Sequence, residues 1–237
     1  MKQIPNFLTL LNLACGSLAM VFVMKGQWQV AAGLLLAAAV LDFSDGGVAR
    51  LLKAQSELGK QLDSLADMVS FGLLPAFFIY KILEQQLPVD GGGLIPPPWL
   101  VYAPLVLVPA LAALRLGRFN LAEGGGDFFE GLPTPAHALF WAGLYAQYMS
   151  EGLLFGQDLH FWFLFAIMAL MAMHMVIPVP MYSLKFKHLR LRGNLIRYLL
   201  ILLGIVLLVF LGLPGLSLVI LCYILLSLLN ILLQRRT

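Results

Sequence analysis

Four aspartates interrupt an otherwise apolar chain in two close pairs, Asp42 with Asp45 and Asp63 with Asp67. Spacings of three and four residues put both members of a pair on one helix face. A carboxylate inside a membrane span is costly and marks function by default. Four of them aimed at one small volume repel one another unless cations neutralise them, and hard oxygen ligands suit Mg2+, Mn2+ or Ca2+ rather than zinc. A metal site is the economical reading. The bland alternative is a set of salt bridges to Arg50, Lys53 and Lys60, which lie between the two pairs. No second ligand set competes: His137, His160, His174 and His188 are scattered, and Cys15 and Cys222 fall within apolar runs where thiols pack. Gly46, Gly47, Ala49 and Gly59 sit among the acids. Such small residues let a ligand approach the helix backbone and form a floor for a flat or bulky group, or else they serve close helix packing.

The elements that must position these residues are membrane helices. Of 237 residues, 61% are hydrophobic and 11% charged, and the mean hydropathy is +0.90. That composition excludes a soluble domain of this length. A transmembrane helix needs about 20 mostly apolar residues. Apolar runs between turn signals predict an all-α polytopic bundle of about eight spans, near 7–24, 28–51, 61–84, 99–121, 134–150, 160–178, 195–212 and 215–233. Asp90-Gly-Gly-Gly, Pro96-Pro-Pro, Gly124-Gly-Gly, Pro133 and Leu213-Pro-Gly break the runs. The opening segment reads as the first span rather than a signal peptide, because no cleavage site follows it. Without a repeat or a separate soluble segment, residues 1–237 read as one membrane domain, and nothing in it calls for nucleic acid.

Orientation follows from the basic residues, which short cytoplasmic loops retain. Eight spans put both termini on one side. With that side cytoplasmic, it holds Lys2, Arg50, Lys53, Lys60, Arg115, Arg118, Lys185, Lys187, Arg190, Arg192, Arg197, Arg235 and Arg236, leaving Lys25 and Lys81 outside. The run from Lys185 to Arg192 is a topology signal or an attractor of anionic lipid, and both place it in the cytoplasm. All four aspartates then reach the cytoplasmic end of the bilayer. Arg115 and Arg118, three residues apart, offer guanidinium forks to phosphate or carboxylate oxygens, or snorkel to headgroups. Asn6 and Thr9 either cap the first span or bond a nucleotide.

Written out, the acidic segment is Asp42-x-x-Asp45-Gly46-x-x-Ala49-Arg50, eight residues, then Gly59-x-x-x-Asp63-x-x-x-Asp67. It resembles the signature of the CDP-alcohol phosphotransferase family at every specified position. The resemblance implies a six-helix catalytic core, CMP as leaving group, two divalent metals (Mg2+ or Mn2+) per site and an active site at the cytoplasmic face. It implies Asp42, Asp45, Asp63 and Asp67 as metal ligands, with Asp67 also the general base. Gly46, Ala49 and Gly59 would form the nucleotide floor, joined by Asn6, Thr9 and Asp42, with Arg50 steadying the acids or a phosphate. Outside the signature, Ile4 to Gly16, Leu114 to Asn120, Phe129 to Ala136 and Pro180 to Lys185 look like the phosphatidylserine synthase branch of that family. Gly117 departs from it, standing where alanine is expected.

That branch implies transfer of a phosphatidyl group from CDP-diacylglycerol to L-serine. Arg115, Arg118 and Asn120 would hold the acceptor or a phosphate, in a homodimer of the bacterial inner membrane. A sister enzyme using glycerol 3-phosphate, inositol phosphate or choline is the nearest rival. An ion transporter is the rival of another class, but it would expect acids near mid-membrane and an inverted repeat.

Overall fold

A computed structural model of the chain describes residues 3–87, 96–121, 128–150, 161–182 and 194–234. The apolar runs become helices α1 Gln3–Met24, α2 Trp28–Leu51, α3 Glu57–Asp67, α4 Leu74–Gln85, α5 Ala103–Leu121, α6 Thr134–Met149, α7 Phe161–Val176, α8 Leu195–Leu211 and α9 Gly215–Gln234. A π-helical turn, Met68–Leu73, fuses α3 and α4 into one rod, and a 3-10 turn, Pro98–Tyr102, leads into α5. Among the described residues the helices thus make eight rods, at the places the apolar runs predict. The third begins at Glu57 rather than near residue 61, because Ser56 caps it ahead of the apolar pattern. Among the described residues four rods are long and apolar enough to cross a membrane: Gln3–Met24, Trp28–Leu51, Glu57–Gln85 and Pro98–Leu121. The stretches Phe161–Val176, Arg197–Leu211 and Gly215–Leu229 are apolar but shorter.

One element departs from a purely helical reading. β1 Phe128–Glu130 pairs antiparallel with β2 Pro180–Tyr182, in the register Phe128 to Tyr182, Phe129 to Met181 and Glu130 to Pro180. This ladder ties the approach to α6 to the exit from α7. Gly131 follows it at φ 73°, and a Cβ there would stand 2.4 Å from the Met175 carbonyl oxygen, so only glycine fits. The Asp90 and Gly124 breaks, His160, the basic run from Lys185 to Arg192, and Lys2, Arg235 and Arg236 lie outside the described residues.

The π-turn has a cause in the sequence. Pro75 lacks an N–H, and in a straight α-helix its ring collides with the carbonyl four residues back. Wider bonding, in which the Leu74 N–H reaches the Val69 carbonyl, absorbs the misfit. The turn begins directly after Asp67 and swings Ser70 against α1.

The core centres on the π-turn, α4 and α6, where Phe71, Phe78, Trp141 and Tyr145 are fully buried. The Phe78 and Tyr145 rings stack at 5.1 Å. Phe7, Phe43, Val209 and Phe210 instead project outward, as lipid-facing side chains do when hydrocarbon surrounds the bundle. Between apolar helices in lipid, close approach supplies the cohesion. Gly16 lies so near Ser70, and Gly143 so near Ser217, that an added Cβ would fall within 2.2 Å and 2.5 Å of the respective hydroxyl oxygens.

Candidate functional site

The two acidic pairs meet because the connection between their helices is short and closed at both ends. α2 finishes with the Ala54 N–H on the Ala49 carbonyl and the Lys53 N–H on the Arg50 carbonyl, the two bonds of a Schellman motif. Lys53 takes the left-handed conformation at φ 49° that this stop requires. Three residues later Ser56 opens α3, its hydroxyl accepting the Gly59 N–H at 3.1 Å. The chain reverses within residues 52–56, and α2 and α3 both pack on α1, which turns their acids toward one volume.

Asp42, Asp63 and Asp67 each offer a carboxylate oxygen within 4.8 Å of the others. Oδ1 of Asp63 and Oδ1 of Asp67 are buried without a hydrogen-bond partner among the described residues. The salt-bridge alternative fails there, since the one ion pair among the described residues joins Lys81 to Glu84, far along the rod. Three converging carboxylates with two unpartnered oxygens are poorly stable alone and fit a hard divalent cation. Asp45, expected as a fourth ligand, stands outside this trio. It is 5% exposed and accepts a hydrogen bond from Thr9 Oγ1 at 2.5 Å.

Beside the trio lies a cavity of about 390 Å³ lined by Pro5, Asn6, Thr9, Asp45, Gly46, Ala49, Arg50, Ala54, Gln55, Ser56, Glu57, Gly59, Lys60 and Asp63. Asn6, Thr9, Gly46, Ala49, Arg50 and Gly59, expected around a nucleotide, share its wall, whereas Asp42, expected with them, does not line it. At Gly46 an added Cβ would meet only Arg50 Nη1, at an ordinary 3.6 Å, and at Gly47 it would meet nothing within 4 Å. Internal packing therefore does not demand glycine at these two positions. Gly59 is tighter, since an added Cβ would stand 3.1 Å from both Asn6 Oδ1 and Ser56 Oγ.

The residues from α5 divide. Arg115 is part-buried, donates from Nη1 to Thr134 Oγ1 at 3.3 Å, and lies within electrostatic reach of Asp67 and of Tyr223 on α9. Its Nε is buried with no partner among the described residues. Arg118, exposed, turns away to donate to the Val176 carbonyl at the end of α7 at 3.1 Å. Asn120 reaches α3 instead: its Nδ2 donates to Ser64 Oγ at 2.7 Å, and its carbonyl accepts from Lys60 Nζ at 3.1 Å. Arg115 thus lies within electrostatic reach of the acids, while Arg118 bonds to the end of α7 and Asn120 to α3. His137 is buried against Trp141, whose Nε1 donates to it at 3.1 Å.

Sequence reasoning passed over Ser56, Ser64 and Thr134, and weighed Lys60 only as an ion-pair partner and topology signal. A serine three residues before Gly59 is a readable helix cap, but the partners of Lys60, Ser64 and Thr134 come from distant segments and leave no local signal.

The sequence profile of the CDP-alcohol phosphatidyltransferase family matches residues 2–209. A CDP-diacylglycerol-serine O-phosphatidyltransferase of Mycobacterium bovis is 36% identical over 159 residues, covering 64% of this chain and 52% of the relative. The enzyme of that name from Mycobacterium leprae is 34% identical over 188 residues, covering 76% and 58%. An archaetidylserine synthase of Methanothermobacter thermautotrophicus is 33% identical over 144 residues, covering 60% and 57%. The chain spans about half the length of these curated relatives.

Proposed function

We propose, for a chain that belongs to the CDP-alcohol phosphatidyltransferase family, that it transfers the phosphatidyl group of CDP-diacylglycerol to the hydroxyl of L-serine, releasing CMP. The observation that carries this reading is the carboxylate trio opening beside a cavity walled by Asn6, Thr9, Gly46, Ala49, Arg50 and Gly59. The three relatives support serine as acceptor: their names share the serine headgroup although the lipid differs.

The cytidine end of the donor enters the cavity, its ring or ribose lying over Gly46 and Ala49, where absent side chains leave room. Asn6 and Thr9 offer hydrogen bonds, and Arg50 meets phosphate oxygens. The acyl chains stay in the bilayer beside the apolar outer faces. Asp42, Asp63 and Asp67, with Asp45 held beside them through its Oδ2 by Thr9, would hold two Mg2+ or Mn2+ ions. Bound there, the ions would neutralise the pyrophosphate and the charge that develops on CMP.

Arg115 holds the serine carboxylate or the lipid phosphate beside Asp67. Asp67 takes the serine hydroxyl proton as the serine oxygen bonds to the phosphatidyl phosphorus and the bond from that phosphorus to the CMP oxygen breaks. Positioning supplies much of the acceleration. The eight rods all span the membrane as one domain, a six-helix core with two more, with the site and both termini cytoplasmic in a bacterial inner-membrane homodimer.

The test supplies purified protein in nanodiscs with CDP-diacylglycerol, Mn2+ or Mg2+ and one of L-serine, glycerol 3-phosphate, inositol phosphate or choline. Phosphatidylserine and CMP should appear in equal amounts and cease with chelator. Faster product formation with another alcohol, or full activity after exhaustive metal removal, would overturn the reading.

A further inference from the structure

Asn12 is a fully buried polar residue in the middle of the apolar helix α1, and neither Nδ2 nor Oδ1 of its side chain has a hydrogen-bond partner among the described residues. Leaving both a donor and an acceptor unpaired away from water is costly, on the order of 1–3 kcal/mol for each group. Such a side chain calls for an explanation. Its neighbours along the helix locate it. One turn before, Thr9 touches Asp45; the Asn12 carbonyl itself accepts from Ser70 Oγ, one turn beyond Asp67, at 3.0 Å; and Gly16, one turn after, abuts Ser70.

The levels agree from both partner helices. α1 and α2 are antiparallel across a short turn, so moving from Thr9 to Asn12 on one corresponds to moving from Asp45 back to Asp42 on the other. α3 runs parallel to α1, with Gly59 beside Asn6 and Ser70 beside Asn12 and Gly16, which sets Asn12 near the height of Asp67. The register thus places the unpaired amide at the level of the trio, two of whose carboxylate oxygens are buried and without a partner among the described residues as well.

Carboxylates can accept from the Asn12 amide N–H but can offer nothing to its oxygen. The amide oxygen needs a donor or a Lewis acid, and at a cluster of acids that partner is a cation or water bound to one. We infer that Asn12 belongs to the divalent-cation site as a neutral positioning residue, its N–H steadying a carboxylate and its oxygen turned to the cation and its water. This rests on the reading that the aspartates hold a metal, though not on which alcohol is the acceptor.

The experiment measures Mn2+ binding by electron paramagnetic resonance for purified wild type, Asn12→Ala and Asn12→Asp in nanodiscs, with thermal midpoints taken in chelator. Outer ligands of this kind typically contribute 10–100-fold in metal affinity. Asn12→Ala should therefore bind Mn2+ about 10–100-fold more weakly while its metal-free midpoint holds, and Asn12→Asp, which restores an oxygen, should recover most of the affinity. Affinity in Asn12→Ala within twofold of wild type overturns the inference. So does an equal loss in both variants that tracks a lowered metal-free midpoint, which would make Asn12 a packing residue. A wild type that binds no Mn2+ removes this inference and the metal reading together. A wild type that binds Mn2+ and depends on Asn12 for it, yet makes no phosphatidylserine, upholds Asn12 and removes only the assigned reaction.

Discussion

Replacing Thr9 by valine removes one hydroxyl from the wall between the cavity and the acids. Thr9 Oγ1 donates to Asp45 Oδ2 at 2.5 Å, and the two residues are only 3% and 5% exposed, so water does not readily take the donor's place. A hydrogen bond to a charged group contributes about 1.5–3 kcal/mol, and each 1.36 kcal/mol is tenfold in rate. If Asp45 must be held in place for the donor to bind, Thr9→Val should lower kcat/KM for CDP-diacylglycerol by roughly 10–150-fold. Thr9→Ser keeps the donor and should stay within about fivefold, an estimate from the intact charge-assisted bond. Steady-state CMP release at varied donor, with saturating serine and Mn2+, reads both. Thr9→Val at near wild-type kcat/KM would show that Asp45 is positioned by something else. Thr9→Ser failing as badly as Thr9→Val would assign the effect to the methyl group's packing.

Further expectations concern neighbouring residues. Asp63→Asn should weaken Mn2+ and donor binding together, whereas Asp67→Asn should keep donor binding and lose about 10²–10⁴-fold in turnover, the usual worth of a positioned base; equal loss of donor binding in both would refute the base assignment. Arg115→Ala should raise the KM for serine or donor by about 10–150-fold, from a charge-assisted contact of about 1.5–3 kcal/mol, while Arg118→Ala, whose guanidinium points to the Val176 carbonyl, should leave KM within about twofold by the same reasoning; matched effects in the two would contradict this division of roles. Gly46→Ala should fold normally, since its Cβ meets only a 3.6 Å contact, yet bind donor more weakly; unimpaired donor binding would remove Gly46 from the nucleotide floor. Gly16→Ala should lower the thermal midpoint, because its Cβ would lie 2.8 Å from the Ser70 Cα and overpacking costs about 1–3 kcal/mol; an unchanged midpoint would mean the two helices separate without penalty.

Local order along the chain determined a good deal. Apolar runs long enough to span a bilayer, cut by Pro and Gly, are a one-dimensional signal, and the eight rods lie close to where those runs predict. The acidic pairs were legible for the same reason: helical periodicity puts residues three and four apart on one face, and a turn of five residues, 52–56, leaves the second pair no choice but to return beside the first. Gly46, Ala49 and Gly59 stood out as small residues among acids, and they do line the cavity.

What the pattern could not decide is how distant segments share those carboxylates. Spacing treats Asp42 and Asp45 alike, yet α1 docks on this hairpin so that Thr9 takes Asp45 while Asp42 joins Asp63 and Asp67. Arg115 and Arg118 look equivalent on α5, until α6 and α7 offer them different partners. The β1–β2 ladder joins stretches some 50 residues apart and has no periodic signature at three residues per strand. Asn12 reads as one more polar residue in a span, and only the packing of α1 over the acids exposes its unpaired amide. Helix periodicity is written between neighbours, whereas hydrogen-bond partnership depends on the rotation and depth at which one rod meets another, and the tertiary structure sets those.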